Sequence, residues 1–237
     1  MSFVVTPPAP AALPVVGGAP GAQFPVHRIY CVGRNYAEHA IEMGATGREP
    51  PFFFMKPADA VLPVADGQTG SMPYPSLTQS LHHEIELVVA LGQGGRNVPV
   101  ERAAELIWGY AIGLDMTRRD LQNEMKKQGR PWCIGKAFDQ SAPVGPLHPK
   151  AATGELQRGA ISLDVNGQRR QSGDLGDLIW NVAETIATLS RAWDLAPGDL
   201  IYTGTPAGVG AVVPGDNLVG EIAGLGRLQM TIGPARA

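Results

Sequence analysis

Cysteine is scarce in this chain. Only Cys31 and Cys133 occur in 237 residues, far apart and each in apolar company, so a disulfide framework is not indicated and a reducing, cytoplasmic setting is the default expectation. Long apolar runs are missing too. No stretch approaches the ~20 residues needed to cross a bilayer, so no membrane partner is expected. The first 23 residues, rich in Ala, Pro and Gly, lack the positive start and unbroken apolar core of a signal peptide and read as an irregular arm. Excess positive charge is also absent. Nineteen Lys and Arg against 22 Asp and Glu give a formal net charge of −3, which leaves no footprint for nucleic acid or an anionic membrane surface. What remains is a globular balance, 44% hydrophobic and 17% charged. The length sits at the upper end of one domain and is enough for a substantial core.

Residues 81–91, Leu-His-His-Glu-Ile-Glu-Leu-Val-Val-Ala-Leu, carry the strongest chemical signal. Branched apolar residues and the Gly cluster that follows predict a strand. Side chains alternate along a strand, so Glu84 and Glu86 share one face while Ile85 and Leu87 take the other. Two carboxylates side by side repel unless a cation lies between them or one keeps its proton. A hard divalent ion is one solution; a solvated acidic face on an edge strand is the other.

Elsewhere the pattern offers further candidates. Arg28–Gly33 reads as a short buried strand, and residues 35–43 as a helix with Asn35 as N-cap. On that helix His39 and Glu42 share a face, which suits either a general base held by a carboxylate or a solvated surface pair. The Gly-rich residues 44–49 suggest a mobile segment, and Lys56, between Met55 and Pro57, reads as structural. Trp108–Met116 is an apolar strand that delivers Asp115 to its end. A helix is predicted over Thr117–Lys127, with Thr117 and Asp120 at capping-box spacing and Arg119 and Gln122 on one face. Lys136, among apolar and aromatic neighbours, is paired with a carboxylate, used in chemistry, or snorkels out to water. Ile161–Gln171 forms a hairpin turning at Asn166-Gly167, and Asp177–Trp193 an amphipathic helix. The loop Thr203-Gly-Thr-Pro206 offers hydroxyls and N–H groups to a carboxylate.

Taken in order, Gly33-Arg-Asn-Tyr36 with His39 and Glu42, Glu84-x-Glu86, Asp115-Met-Thr-x-Arg-Asp-x-Gln122, Gly135-Lys136 and Thr203-Gly-Thr-Pro206 resemble the fumarylacetoacetate hydrolase family, in particular its short acylpyruvate and fumarylpyruvate hydrolases. The resemblance covers about residues 27–233 and leaves out the N-terminal arm. It implies an α+β, β-rich fold, a mixed β-sandwich roll with a few peripheral helices, as a single catalytic domain over residues 24–237 after the arm of residues 1–23. Homodimers are usual in the family.

The same resemblance implies roles. Glu84, Glu86 and Asp115 match carboxylate ligands for Mg²⁺ or Mn²⁺. Lys136 matches a lysine that polarises the keto-enol group, and His39 with Glu42 matches a water-activating dyad on a lid. Arg119, Gln122 and Thr205 match positions near a bound pyruvoyl group, and Arg34 either meets a second substrate carboxylate or pairs with an acid of the protein. The expected reaction is hydrolysis of the carbon–carbon bond of a 2,4-diketo acid, with fumarylpyruvate from bacterial aromatic catabolism as the expected substrate. Oxaloacetate decarboxylation and keto-enol tautomerisation are alternatives on the same metal site. A non-catalytic metal-bound binding protein is a further one, whose weight against catalysis rests on fold analogy.

Overall fold

The computed structural model describes residues 3–36 and 48–235. Strands dominate and helices are few and short, giving a β-rich α+β fold. Of the helix predicted over residues 35–43, Asn35 and Tyr36 are described, and residues 37–43, with His39 and Glu42, lie outside the described residues.

The largest sheet runs, from edge to edge, through Phe53–Lys56, Ile29–Val32, Leu200–Tyr202, Ile85–Leu91, Ile107–Leu114, Ala142–Val144 and Val61–Pro63, with His148–Pro149 added beside Ile107–Leu114. Its central strand, Ile85–Leu91, is buried at every position; the apolar run Leu87–Leu91 suits a strand covered on both faces, and Glu86 is the one charged residue it buries. On one face Ile85, Leu87, Val89 and Leu91 meet Ile161, Leu163, Leu218 and Met230 of a five-stranded sheet in the main core. The hairpin of that second sheet turns at Asn166-Gly167, both at positive φ (52° and 75°), as a two-residue turn between twisted strands requires.

Val88 and Ala90 face the other way, into a second core with Leu13, Phe24, Leu147 and Tyr202. This corrects the expectation of an irregular N-terminal arm. Ala12–Pro14 and Gln23–Pro25 pair as antiparallel strands, Leu13 is fully buried, and the Val16 N–H donates to Leu147 O at 2.9 Å. The cause is tertiary: the apolar outer face of the large sheet needs cover, and Leu13 and Phe24 supply it.

Two helix starts also differ from expectation. The helix predicted from Thr117 begins at Arg119, because Thr117–Arg118 pairs instead with Leu81–His82. Thr117 and Asp120 make no capping box; the Asp120 carboxylate accepts from the Thr78 hydroxyl at 2.6 Å and the Gln79 N–H at 3.0 Å. The long C-terminal helix spans Val182–Ala192 rather than starting at Asp177. Asn181 and Glu184 form a reciprocal capping box there, and this local signal sets the true start.

Candidate active site

The site is built where two paired strands leave one sheet for another. Ile85 pairs with Leu114 in the large sheet, whereas His82 pairs with Thr117 in a three-stranded sheet that Gly210–Val212 completes. Glu84 and Asp115 occupy the bend between these two pairings, and the Asp115 N–H donates to Glu84 O at 2.8 Å. The predicted single strand over residues 81–91 is thus broken at Glu84, and this break turns its carboxylate toward that of Asp115. Glu86, two residues on, projects from the large sheet on the face that also carries Val88. One carboxylate oxygen from each of Glu84, Glu86 and Asp115 lies within 4.8 Å of the other two, and all three residues are buried. They are the one such group of metal-ligating side chains among the described residues.

Thr203–Pro206 holds Glu86. The Gly204 N–H donates to Glu86 Oε2 at 2.6 Å, while the Thr203 and Thr205 hydroxyls donate to Leu87 O at 3.0 Å and Ile85 O at 2.7 Å. The carboxylate this loop binds is one of the protein's own. Gly204 must be glycine: its φ is +98°, and a Cβ there would lie 2.7 Å from the Cβ of Asn35. Asn35 braces the loop by donating to Thr203 O at 2.7 Å, and also bonds Trp180. Thr205 accepts from Gln171 Nε2 at 2.8 Å, and Gln171 reaches His83 at 2.8 Å.

Three cations surround the acids. Lys136 Nζ donates to Glu84 Oε2 at 2.7 Å, Asp115 Oδ2 at 2.7 Å and the Thr117 hydroxyl at 2.6 Å; of its possible fates, pairing is the one observed. It reaches them from the short helix Cys133–Lys136, seated so close to the helix Arg119–Lys127 that a Cβ on Gly135 would lie 2.9 Å from Gln122 N. Arg119 donates to Glu84 and to the buried Gln122. Lys56, expected to be structural, is buried at the rear with Nζ 2.8 Å from Asp115 Oδ1. The argument that singled out Lys136, one charge in apolar company, applies equally to Lys56 and would have found it.

Burial and the neighbouring charges of Asp115 and Glu84 push the Glu86 carboxyl well above its usual range, against the pull of the Gly204 N–H. Burial alone would lower the Lys136 ammonium, but Asp115 and Glu84 outweigh it and raise it. The cluster therefore stores repulsion among its acids and holds its lysine charged.

In front of the acids a narrow cleft is lined by Arg34, Phe54, Glu84, Arg119, Trp132 and Lys136. Arg34 lies 3.8 Å from the Glu49 carboxylate and over the Phe52 ring. A larger cavity of about 510 Å³ between Tyr74 and Phe138 includes none of the predicted site residues; the chemistry, not the size, marks the smaller one.

Residues 28–233 match the model of the fumarylacetoacetate (FAA) hydrolase C-terminal family, and the chain belongs to that family. It is 47% identical over 187 residues to a fumarylpyruvate hydrolase of Ralstonia, covering 79% of this chain and 95% of that protein. It is 42% identical over 196 residues to an oxaloacetate tautomerase of Escherichia coli, covering 82% and 88% respectively. Among solved structures, the fumarylpyruvate hydrolase of Pseudomonas aeruginosa, in complex with Mn²⁺ and pyruvate, superposes with a TM-score of 0.96 at 56% identity, covering 98% of this chain and all of that one. No helix among the described residues is long and apolar enough to cross a membrane.

Proposed function

We propose that this protein is a metal-dependent fumarylpyruvate hydrolase, cleaving the carbon–carbon bond of its substrate to release fumarate and pyruvate. The observation that carries this reading is the meeting of three buried carboxylates with Arg119 and Lys136 at one cleft, in a chain that shares almost its whole length with a Mn²⁺- and pyruvate-bound fumarylpyruvate hydrolase.

Glu84, Glu86 and Asp115 would hold Mg²⁺ or Mn²⁺. The donor set suits either ion: all oxygen, all anionic, and converging from buried backbone. One oxygen from each lies within 4.8 Å of the other two, so a single hard cation would be within reach of all three residues. Such an ion supplies Lewis-acid stabilisation for the enolate that leaves as the bond breaks.

The chain's own groups do the rest. Arg119 and Lys136 line the cleft and set fixed positive charge beside the pyruvoyl end, held in place by their bonds to the acids. Gln122 holds Arg119 in line, and Thr205 anchors the loop that fixes Glu86. Arg34, at the outer end of the cleft, meets the second carboxylate of a fumaroyl group by exchanging its contact with Glu49. His39, oriented by Glu42, takes the proton of the water that adds to the distal carbonyl. The chain acts as one catalytic domain that includes the N-terminal strand pair, assembled as a homodimer and placed in aromatic-ring breakdown.

Oxaloacetate tautomerisation is the second reading, favoured by the Escherichia coli relative; it needs a proton shuttle but no attacking water. Parallel assays with Mn²⁺ on fumarylpyruvate and on oxaloacetate separate the two. Fumarate and pyruvate formed faster than oxaloacetate is turned over supports hydrolysis. Faster enol–keto conversion of oxaloacetate, or faster CO₂ release, overturns it.

A further inference from the structure

Lys56 is the one cation of the cluster that does not line the cleft. It comes from the edge strand Phe53–Lys56, is 1% exposed, and donates to Met116 O at 3.2 Å and to Lys136 O. Asp115 faces a cation at each oxygen: Lys136 donates to Oδ2 at 2.7 Å, while Lys56 Nζ lies 2.8 Å from Oδ1 as an ion pair, with Oδ1 accepting no hydrogen bond from the described residues. We propose that Lys56 is a positioning residue, which fixes Asp115 from behind and sets how tightly the acidic cluster takes up a divalent cation. This rests on the metal-site reading above.

The argument is one of charge. Glu84, Glu86 and Asp115, fully ionised, carry three negative charges, and Lys56, Lys136 and Arg119 carry three positive ones. With the acids ionised, as metal ligands must be, the six groups sum to zero within a buried space. An added divalent ion would leave a double positive charge where solvent screening is weak. An anionic substrate at the cleft relieves that excess, so ion and substrate bind better together than apart. Lys56, behind Asp115 and out of reach of substrate, repels an ion held by the opposite side of the same carboxylate. It also keeps Asp115 aimed into the cluster, together with the backbone of Lys136.

Removing this charge should therefore have opposite effects on binding and on turnover. With Lys56→Met, three acids face two cations, and the cluster gains affinity for a cation. Asp115 at the same time loses its rear anchor, and turnover falls. A lysine serving only to stabilise the fold predicts weaker ion binding, because a disordered site binds less.

The test is Mn²⁺ binding to the full-length wild-type, Lys56→Met and Lys56→Arg proteins without substrate, read from the free-ion electron paramagnetic resonance signal. Thermal melting with and without Mn²⁺ runs alongside. The expected result is binding at least ~10-fold tighter in Lys56→Met, a larger Mn²⁺-induced rise in its melting temperature, and near-wild-type affinity in Lys56→Arg, which keeps the charge. A Lys56→Met chain that folds only with Mn²⁺ also supports the proposal. Binding no tighter than wild type, or a chain that stays unfolded with Mn²⁺, overturns it. If the wild-type protein itself takes up no Mn²⁺, the metal-site reading fails and this proposal falls with it.

Discussion

The backbone N–H of Asp115 donates to the carbonyl of Glu84 at 2.8 Å, so two acids distant in sequence leave the chain from one corner. That bond sits where the strand pairing passes from the large sheet to the small one. The acidic cluster is therefore a property of the topology, and side-chain changes within it should harm chemistry before they harm the fold. Glu84→Gln and Asp115→Asn keep shape and remove charge. Each should leave circular dichroism unchanged and abolish Mn²⁺-dependent turnover, and substantial activity in either would remove that carboxylate from the metal site.

Loss of the metal site should be graver than loss of the base. General-base help is typically worth about 10²–10⁴ in rate, and charge stabilisation by an ion contributes several kcal/mol beyond that. Glu84→Ala should accordingly retain less turnover than His39→Ala. Equal residual rates under saturating Mn²⁺ would contradict the ranking.

Lys136 is bonded to two buried carboxylates. Lys136→Met leaves Asp115 to Lys56 and Glu84 to Arg119, each one cation short, and removing one partner of a buried ion pair costs up to about 3–5 kcal/mol. The variant should melt well below wild type and recover part of the loss on adding Mn²⁺. A melting temperature unchanged in chelator would show that the pairing stabilises nothing.

Gly204 binds Glu86 through its N–H while at positive φ and against Asn35. Gly204→Ala should cost about 1–3 kcal/mol from backbone strain, with the displaced loop lowering turnover further. Urea denaturation reads the first effect and a saturating assay the second; wild-type values in both would refute the packing argument.

His148 lies away from the site, and burial holds its imidazole below the usual value. The folded chain keeps it neutral while the unfolded chain protonates it near pH 6.5, so its stabilising contribution is complete above that pH and is lost as pH falls below it. Melting curves at pH 7.5 and 5.5 should show a smaller acid-induced drop in His148→Gln than in wild type. An equal drop would assign the acid sensitivity to other groups.

Much of this was legible in the residues themselves. The branched apolar run after Glu86 predicts a strand, Asn166-Gly167 predicts the turn of the hairpin in the second sheet, and the apolar run Trp108–Met116 predicts a strand that ends on Asp115. What stayed hidden depended on partners remote in sequence. A break in the strand at Glu84 is invisible locally, because only pairing with Thr117 in a separate sheet creates it. The N-terminal hairpin is ordered by an apolar face that strands far along the chain provide. Lys56 and Lys136 have similar neighbours, and only the fold shows both closing on one aspartate. His39 and Glu42 were legible as a pair on one helix face, either a base or a solvated pair, and the resemblance to the family adds the water-activating role.

Anomalous diffraction from crystals of the protein soaked in Mn²⁺ tests the central claim most directly. One peak bonded to an oxygen of each of Glu84, Glu86 and Asp115, at about 2.1–2.2 Å, is the predicted result. A peak elsewhere, or one that leaves any of the three carboxylates uncoordinated, would contradict it.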